Sequence, residues 1–477
     1  MRPIHLQILL LLICSMTIGV SHSQEVWTLQ RCIEYAKQNS LNIKQAAYGV
    51  ELAEVGARQS RLERLPSVSG SAAGGIQWGR TIDPTTNDFN NQRISYNSYS
   101  LNARMLIYGG GMISNGIKQS QADLEAARYD ADYAFNVTAL GIANAYLQIL
   151  QAQEQLDVAR RRVELSRQQL EQTDKLIEAG VLPANNRLDI LAQLARDEQA
   201  LVQAENLLEL NYLTLKDLMY LDLSTEIKVE APPVDVPADM NPDNLSFLEL
   251  YQQALGTQPQ IKAEEYRLQS AALAEQIARA ALLPTVAAFA SVDTRWSSAS
   301  KRITGFEDDI QEQTVYIDNT PVTVGFPVTV PLFDDNPYFD QIDQNFGQGL
   351  GLSISIPIFS NGRNSANVQR AEIGTKTALV RSEQAKQQLR NDIQQALMAA
   401  RAAKRSYEAA KLSYEAAKAA FDNAQKRFDL GAINAFEYNT ARNTLDMAQN
   451  ELTSSKYDYI FRLKILDFYL GKELRIN

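Results

Sequence analysis

The chain has 477 residues, 21% of them charged and 8% aromatic, with a formal net charge of −10. At roughly 100–200 residues per domain this is enough for two or three domains. The acidic balance argues against a nucleic-acid partner, which needs clustered Lys and Arg.

Residues 1–23 read as an export signal. Arg2 is the positive start, Leu6 to Ile13 the apolar core, and Ser21 to Ser23 the small residues before a cut at Gln24. The run is too short to span a bilayer. A lipid anchor at Cys14 is disfavoured, because Ile13 stands where a small residue is expected. Removing the signal takes away His5, His22 and Cys14, leaving no histidine and the single cysteine Cys32. Ser-His-Asp, Cys-His and His-ligated zinc sites are then out of reach. Paired carboxylates remain chemically open, but no constellation of them stands out. The reading is of a chain that is not an enzyme, with no cofactor and no metal.

Thr28 is a candidate N-cap, and residues 29–64 are helical in pattern up to Leu65-Pro66, where proline forces the chain out of the helix. From Ser67 the period changes to two, and Tyr99, Leu101, Ala103, Met105 and Ile107 alternate with polar residues. A β-hairpin is expected over 67–107. After Gly109-Gly-Gly111 a long helix is expected over 112–179, on the order of 100 Å long at ~1.5 Å per residue. In it Leu156, Val163, Leu170 and Ile177 fall seven apart, with small Ala159, Ser166 and Thr173 between them. Large and small residues in strict heptads make a coiled-coil seam. The helix stops at Gly180, and a return helix over 187–222 keeps the heptad in Leu194, Leu201, Leu208 and Leu215. The stretch 232–244 is an extended, proline-rich linker.

The pattern then repeats. Ser246 to Glu249 reads as a capping box, and the helix it opens ends at Leu283-Pro284. A second β-hairpin is expected over 285–358, with Leu350, Leu352, Ile354, Ile356 and Ile358 alternating with polar or small residues. A long helix over 363–430 carries Tyr407, Tyr414, Phe421 and Phe428 seven apart, stops at Gly431, and is followed by a return helix over 437–470. Tyr407 stands 251 positions after Leu156, as Gly431 does after Gly180, whereas Pro284 stands 218 after Pro66. The second hairpin therefore holds 33 extra residues. They fall in an acidic segment, about Thr304 to Asn345, read as a solvated loop; it lacks the ligand spacing of a calcium loop. Residues 24–231 and 245–477 thus form two structural repeats.

Four strands cannot close a membrane barrel, which needs about eight. Two chains would supply eight strands and three chains twelve, and spacing alone does not choose. Helix, hairpin, long helix, glycine turn and return helix, made twice behind an export signal, resemble the TolC family of outer-membrane efflux proteins. The resemblance covers nearly the whole mature chain. It implies a mainly α fold with β: duplicated long α-helical hairpins forming a coiled-coil α-barrel, plus two β-hairpins per chain giving four strands to a trimeric 12-stranded outer-membrane β-barrel. It implies a homotrimer in the outer membrane of a Gram-negative bacterium, extending into the periplasm and meeting a periplasmic adaptor, an inner-membrane transporter and outer-membrane lipid. The implied function is the outer channel of a tripartite efflux pump, with type I protein secretion as a second reading. A periplasmic coiled-coil rod is the rival of another class, but it does not explain two strand hairpins at equivalent places.

The resemblance also implies roles for particular residues. Leu101, Met105, Leu352, Ile354 and Ile356 would face lipid, with Ser100, Asn102, Arg104, Ser353 and Ser355 toward the lumen. The tip turns and adaptor contact would be Leu176, Gly180 and Asn185 in the first repeat, and Arg427, Leu430, Gly431 and Asn434 in the second. Glu437 and Asp189 would gate the pore. Thr440 stands where the family carries a second acid, which weakens any expectation of a double acidic ring.

Overall fold

The structure, a computed structural model, describes residues 26–82, 87, 89–91, 93–230 and 241–472. The export signal and residues 232–240 of the proline-rich linker lie outside the described residues. The first repeat opens with β1 (Val26–Trp27), α1 (Leu29–Asn39) and α2 (Leu41–Leu62). It continues through β2 (Ser67–Gln77), β3 (Arg80–Ile82), β4 (Phe89–Asn91) and β5 (Ile94–Tyr108). The long α3 (Met112–Glu178), the return helix α4 (Asn186–Met219) and β6 (Lys228–Val229) complete it. The second repeat runs α5 (Phe247–Thr257), α6 (Pro259–Ala280), β7 (Thr285–Ser297), β8 (Lys301–Ile317) and β9 (Thr320–Asp335). Then come α7 (Tyr338–Gln344), β10 (Gly347–Ser355), the long α8 (Arg363–Asp429) and its return helix α9 (Ala435–Tyr469).

The helix expected over 29–64 is two helices. Ser40 leaves the helical region at φ −57, ψ 129, and Gln258, 218 positions later, does the same at φ −75, ψ 120. Both residues are buried, and Gln258 donates from Nε2 to the Phe468 carbonyl at 3.0 Å. Thr28 does cap α1, accepting from the Arg31 amide. Ser246 precedes α5 without a side-chain cap bond, so the expected capping box is not formed.

Two compact units cut across the repeats: Val55–Gln121 with Gln269–Lys376 form one, and the other described residues form the second. The second unit is helical. One core gathers Leu29, Cys32 and Ile33 of α1 against Ile142, Tyr146 and Ile149 of α3, Leu215 and Met219 of α4, and Ile460 of α9. Tyr146 reaches out of it to donate to the Glu230 carbonyl at 2.8 Å, beside the parallel pair β1–β6. The counterpart packs Leu250 and Ile261 on Leu389, Ile393 and Leu397 of α8 and on Leu466 of α9. The heptad seams are visible as burial: Leu156, Ala159, Val163 and Ser166 in α3, Ala410 and Ala417 in α8.

The other unit carries a four-stranded antiparallel sheet in the order β10-β7-β5-β2. Leu101 pairs with Val292 and Gly70, Met105 with Ala288, Leu352 with Ala288 and Ile354 with Val286. Paired residues share a face. One face is therefore apolar: Leu101, Ala103 and Met105 beside Val286, Ala288, Ala290 and Val292, then Leu350, Leu352 and Ile354. The opposite face carries Ser67, Ser69 and Ser71, Ser100, Asn102, Arg104, Ser291, Asp293, Ser353 and Ser355, with Leu106, Ala287 and Phe289 toward its helix-side end. The apolar face is open, with Leu350 86% and Leu352 and Ile354 each 67% exposed. Two expectations need correction at its end. β10 stops at Ser355, so Ile356 and Ile358 lie past the strand, where Pro357 has no amide for the ladder. A register shift between Leu106 and Tyr108 likewise takes Ile107 out of simple alternation.

The acidic segment expected as a loop is a long hairpin. β8 and β9 pair from Lys301↔Asp335 to Ile317↔Thr320. Asp318 and Asn319 turn the chain with φ +50 and +60, the two-residue turn that matches strand twist and favours Asp and Asn. Pro321, Pro327 and Pro331 all lie an even number of residues apart on β9. The amide each one lacks would point away from β8, so the outer edge of the ribbon is blunted against further pairing.

Candidate functional site: the helix turns and the polar layer behind them

The two glycine turns share one geometry. Gly180 donates to the Ile177 carbonyl and Val181 to that of Leu176, each at 2.9 Å. Gly431 donates to Phe428 at 2.9 Å and Ala432 to Arg427 at 2.8 Å. With φ of +71 and +69, the glycines close two Schellman caps. Leu176 and Arg427 therefore serve each turn through their carbonyls, and the Arg427 side chain is exposed.

The return helices start differently. Asn434 caps α9, its Oδ1 accepting from the Glu437 amide at 2.9 Å. Glu437 is exposed in the first turn, where a carboxylate compensates the helix dipole. Asn185 precedes α4 without a side-chain cap bond, and Asp189 is the exposed acid of that first turn. Apolar side chains stand out at both turns: Val181, Leu188, Leu430 and Phe436 are all exposed, Leu430 by 84%. Of these, sequence reasoning singled out Leu430 alone.

Behind the turns lies a buried polar layer that the sequence reading missed. Arg442 of α9 is 2% exposed, and its guanidinium meets the buried Asp197 carboxylate of α4 at 3.0 Å. The same guanidinium donates to Ser166 Oγ at 3.0 Å and Gln169 Oε1 at 3.2 Å, both on α3. Ser166 donates to Asp197 Oδ2 at 2.5 Å, and Gln193 Nε2 to Asp197 Oδ1 at 3.0 Å. One turn further on, Gln169 donates to Tyr438, whose hydroxyl donates to Gln425 of α8 at 2.8 Å. The Tyr438 ring stacks on Phe428 at 4.7 Å and lies 5.6 Å from Phe421. Arg162 and Asp446 form a flanking ion pair at 2.8 Å. Burial lifts the Asp446 carboxyl above its ordinary range, against the pull of Arg162. This layer joins both helical hairpins of one chain at a single level. A fully partnered charge in a seam specifies register, as a lone polar residue does in a coiled coil. One signal was available: Tyr438, Arg442 and Leu445 fall at i, i+4 and i+7, so a charge stands on the apolar stripe.

The sequence model of the outer membrane efflux protein family matches residues 32–219 and 250–472. The fold is similar to three solved channels, each covering 93% of this chain. CusC is 18% identical with a TM-score of 0.74 over 92% of its own chain. VceC of Vibrio cholerae is 18% identical with a TM-score of 0.72 over 96% of its own. CmeC of Campylobacter jejuni is 17% identical with a TM-score of 0.71 over 85% of its own. No curated protein matches the chain.

Proposed function

The chain belongs to the outer membrane efflux protein family, and on that premise we propose that it is the outer-membrane channel of a tripartite efflux pump, working as a homotrimer. The observation that carries the reading is the four-stranded sheet with an apolar, solvent-open face and a polar one. Among the described residues its terminal strands β10 and β2 each pair on one side only. Four such strands cannot enclose a lumen, whereas three copies supply twelve, enough for a water-filled barrel. Among the described residues no helix is long and apolar enough to cross a membrane, so strands are what this reading places in the bilayer.

On the same reading, the turns at Leu176, Gly180 and Asn185 and at Arg427, Leu430, Gly431 and Asn434 meet a periplasmic adaptor. The exposed Val181, Leu188, Leu430 and Phe436 supply apolar knobs for such a contact. Glu437 and Asp189 supply exposed carboxylates at the same level, where three copies would ring the pore. The chain carries no charge-transfer or bond-making chemistry in this role; it conducts, and the inner-membrane transporter supplies energy. The test is purification from outer membranes in detergent followed by planar-bilayer recording. A heat-resistant trimer that conducts, with a conductance that rises in Glu437→Ala, is the expected result. A water-soluble monomer without conductance would end the reading. An unchanged closed-state conductance in the variant would remove the gate assignment alone.

A further inference from the structure

The extra residues of the second repeat begin where the apolar face of the sheet ends. From Val286 to Trp296 is ten residue steps along β7, about 33 Å at ~3.3 Å per step. Tilted by roughly 40°, that strand spans about 25 Å vertically, the height of the apolar band of outer-membrane barrels. Along this length the apolar face carries no charge. At its inner end stand exposed Tyr108 and Phe359. At its outer end α7 is docked on the same face. Tyr338 Oη meets Tyr99 Oη at 2.9 Å, its ring lies 5.6 Å from Trp296, and Thr294 Oγ1 donates to the Ile342 carbonyl at 2.6 Å.

The docking is firm. The buried Gln341 side chain accepts from the Ser297 amide at 2.9 Å and donates to the Ser297 carbonyl at 3.0 Å, pairing with the end of β7 as a strand would. Phe339 of α7 and Phe346, two residues past its end, are left 80% and 55% exposed. Beyond α7 the ribbon changes character. Residues 303–335 contain seven acids and no Lys, Arg or His. The acids occupy both faces: Glu307 and Asp309 oppose Val330 and Val328 on one, while Asp308 and Glu312 oppose Thr329 and Gly325 on the other. Although alternate apolar residues from Val322 to Val330 line one face, acids on both faces would carry charge into hydrocarbon whichever way the ribbon turned, whereas aromatic rings favour the boundary between acyl chains and headgroups.

We propose that α7 seats Phe339 and Phe346 in the headgroup–acyl boundary of the outer leaflet, so that the β8–β9 hairpin stands entirely in the water outside. This rests on the channel reading above. The assignment makes the 33-residue excess of the second repeat a lateral lipid contact with a surface-exposed arm.

The test uses single-cysteine variants of the full-length protein, each carrying an environment-sensitive fluorophore, in vesicles of palmitoyl-oleoyl phosphatidylcholine. Leu352→Cys reports the sheet face, Phe339→Cys and Phe346→Cys the α7 collar, and Asn319→Cys the hairpin tip. All four sites are exposed and off the packed core. The expected result is blue-shifted emission at 339 and 346, quenched by a spin label near the headgroup and not by iodide. Position 352 should be quenched by a label deep in the acyl chain, and position 319 by iodide alone. Iodide quenching at 339 and 346 with lipid quenching at 352 overturns this proposal and leaves the channel standing. Lipid quenching at 319 overturns it as well. Loss of lipid quenching at 352 overturns the channel reading and this proposal together.

Discussion

At the scale of single residues, Arg442 carries a buried charge whose loss should be felt in stability. Asp197, Ser166 and Gln169 are placed to receive it. Replacing Arg442 by Met leaves the Asp197 carboxylate buried without its cation. Removing one partner of such a pair costs about 3–5 kcal/mol, so Arg442→Met should show a large loss in urea unfolding of the detergent-solubilised protein. Adding Asp197→Leu removes the stranded charge and should recover most of the loss. A double variant as unstable as the single one would contradict the pairing. Cys32 gives a second prediction. It is fully buried, and burial pushes its thiol up to about 12. The thiolate is the reactive form, so maleimide at pH 7 should leave the folded chain unmodified and label it once denatured. Gly431 gives a third. Its φ of +69 suits glycine, and the site is otherwise empty of neighbours. An alanine there costs about 1–2 kcal/mol through backbone alone. Gly431→Ala should therefore speed proteolysis at the turn, with Gly431→Asn intermediate because asparagine accepts the left-handed region.

At the scale of elements, legibility followed periodicity. The heptad stripes of α3 and α8 are long and regular, so their seams, their glycine stops and the repeat offset could be read directly. The strands facing each other across β7 and β10 could be read for the same reason. What escaped was whatever a single residue decides. Ser40 and Gln258 break helices whose apolar pattern runs on without interruption. Arg442 interrupts an apolar stripe only once, which looks like an ordinary solvated charge. The β8–β9 hairpin was hidden because Glu307 to Asp309 and the prolines resemble a loop. Yet Val322, Val324, Phe326, Val328 and Val330 alternate strictly beside the Asp318-Asn319 turn. The prolines are evidence of an edge rather than of irregularity. Restoring amides there with Pro321→Thr, Pro327→Thr and Pro331→Thr together should expose a continuous donor row. The triple variant is expected to self-associate, with larger particles in size-exclusion chromatography at equal detergent, while a triple change of Thr314, Thr323 and Thr329 to Val leaves the particle size unchanged.

At the scale of the whole molecule, one chain holds every part of the proposed channel except closure. Closure belongs to the assembly, and for that reason no reading of one sequence or one chain displays it. What the chain does display is the condition for closure: a sheet whose two faces differ so strongly that only one surrounding satisfies both. In water, Leu350, Leu352 and Ile354 would form an open apolar patch on one strand, which soluble monomers avoid. In a barrel wall the same residues meet lipid, and Ser353 and Ser355 between them meet water. The two faces can be told apart by a single charge. Leu352→Lys, level with Ala288, puts an ammonium into the apolar band, where the cost climbs from about 0–1 kcal/mol at the interface to about 2–4 kcal/mol at the bilayer midplane. Ser353→Lys places the same charge one residue along, on the polar face, where water solvates it. The heat-resistant oligomer recovered from membranes should fall sharply for Leu352→Lys and stay near the parent level for Ser353→Lys. Equal losses in the two variants would mean that both faces are packed against protein, and a barrel wall built from this sheet could not be maintained.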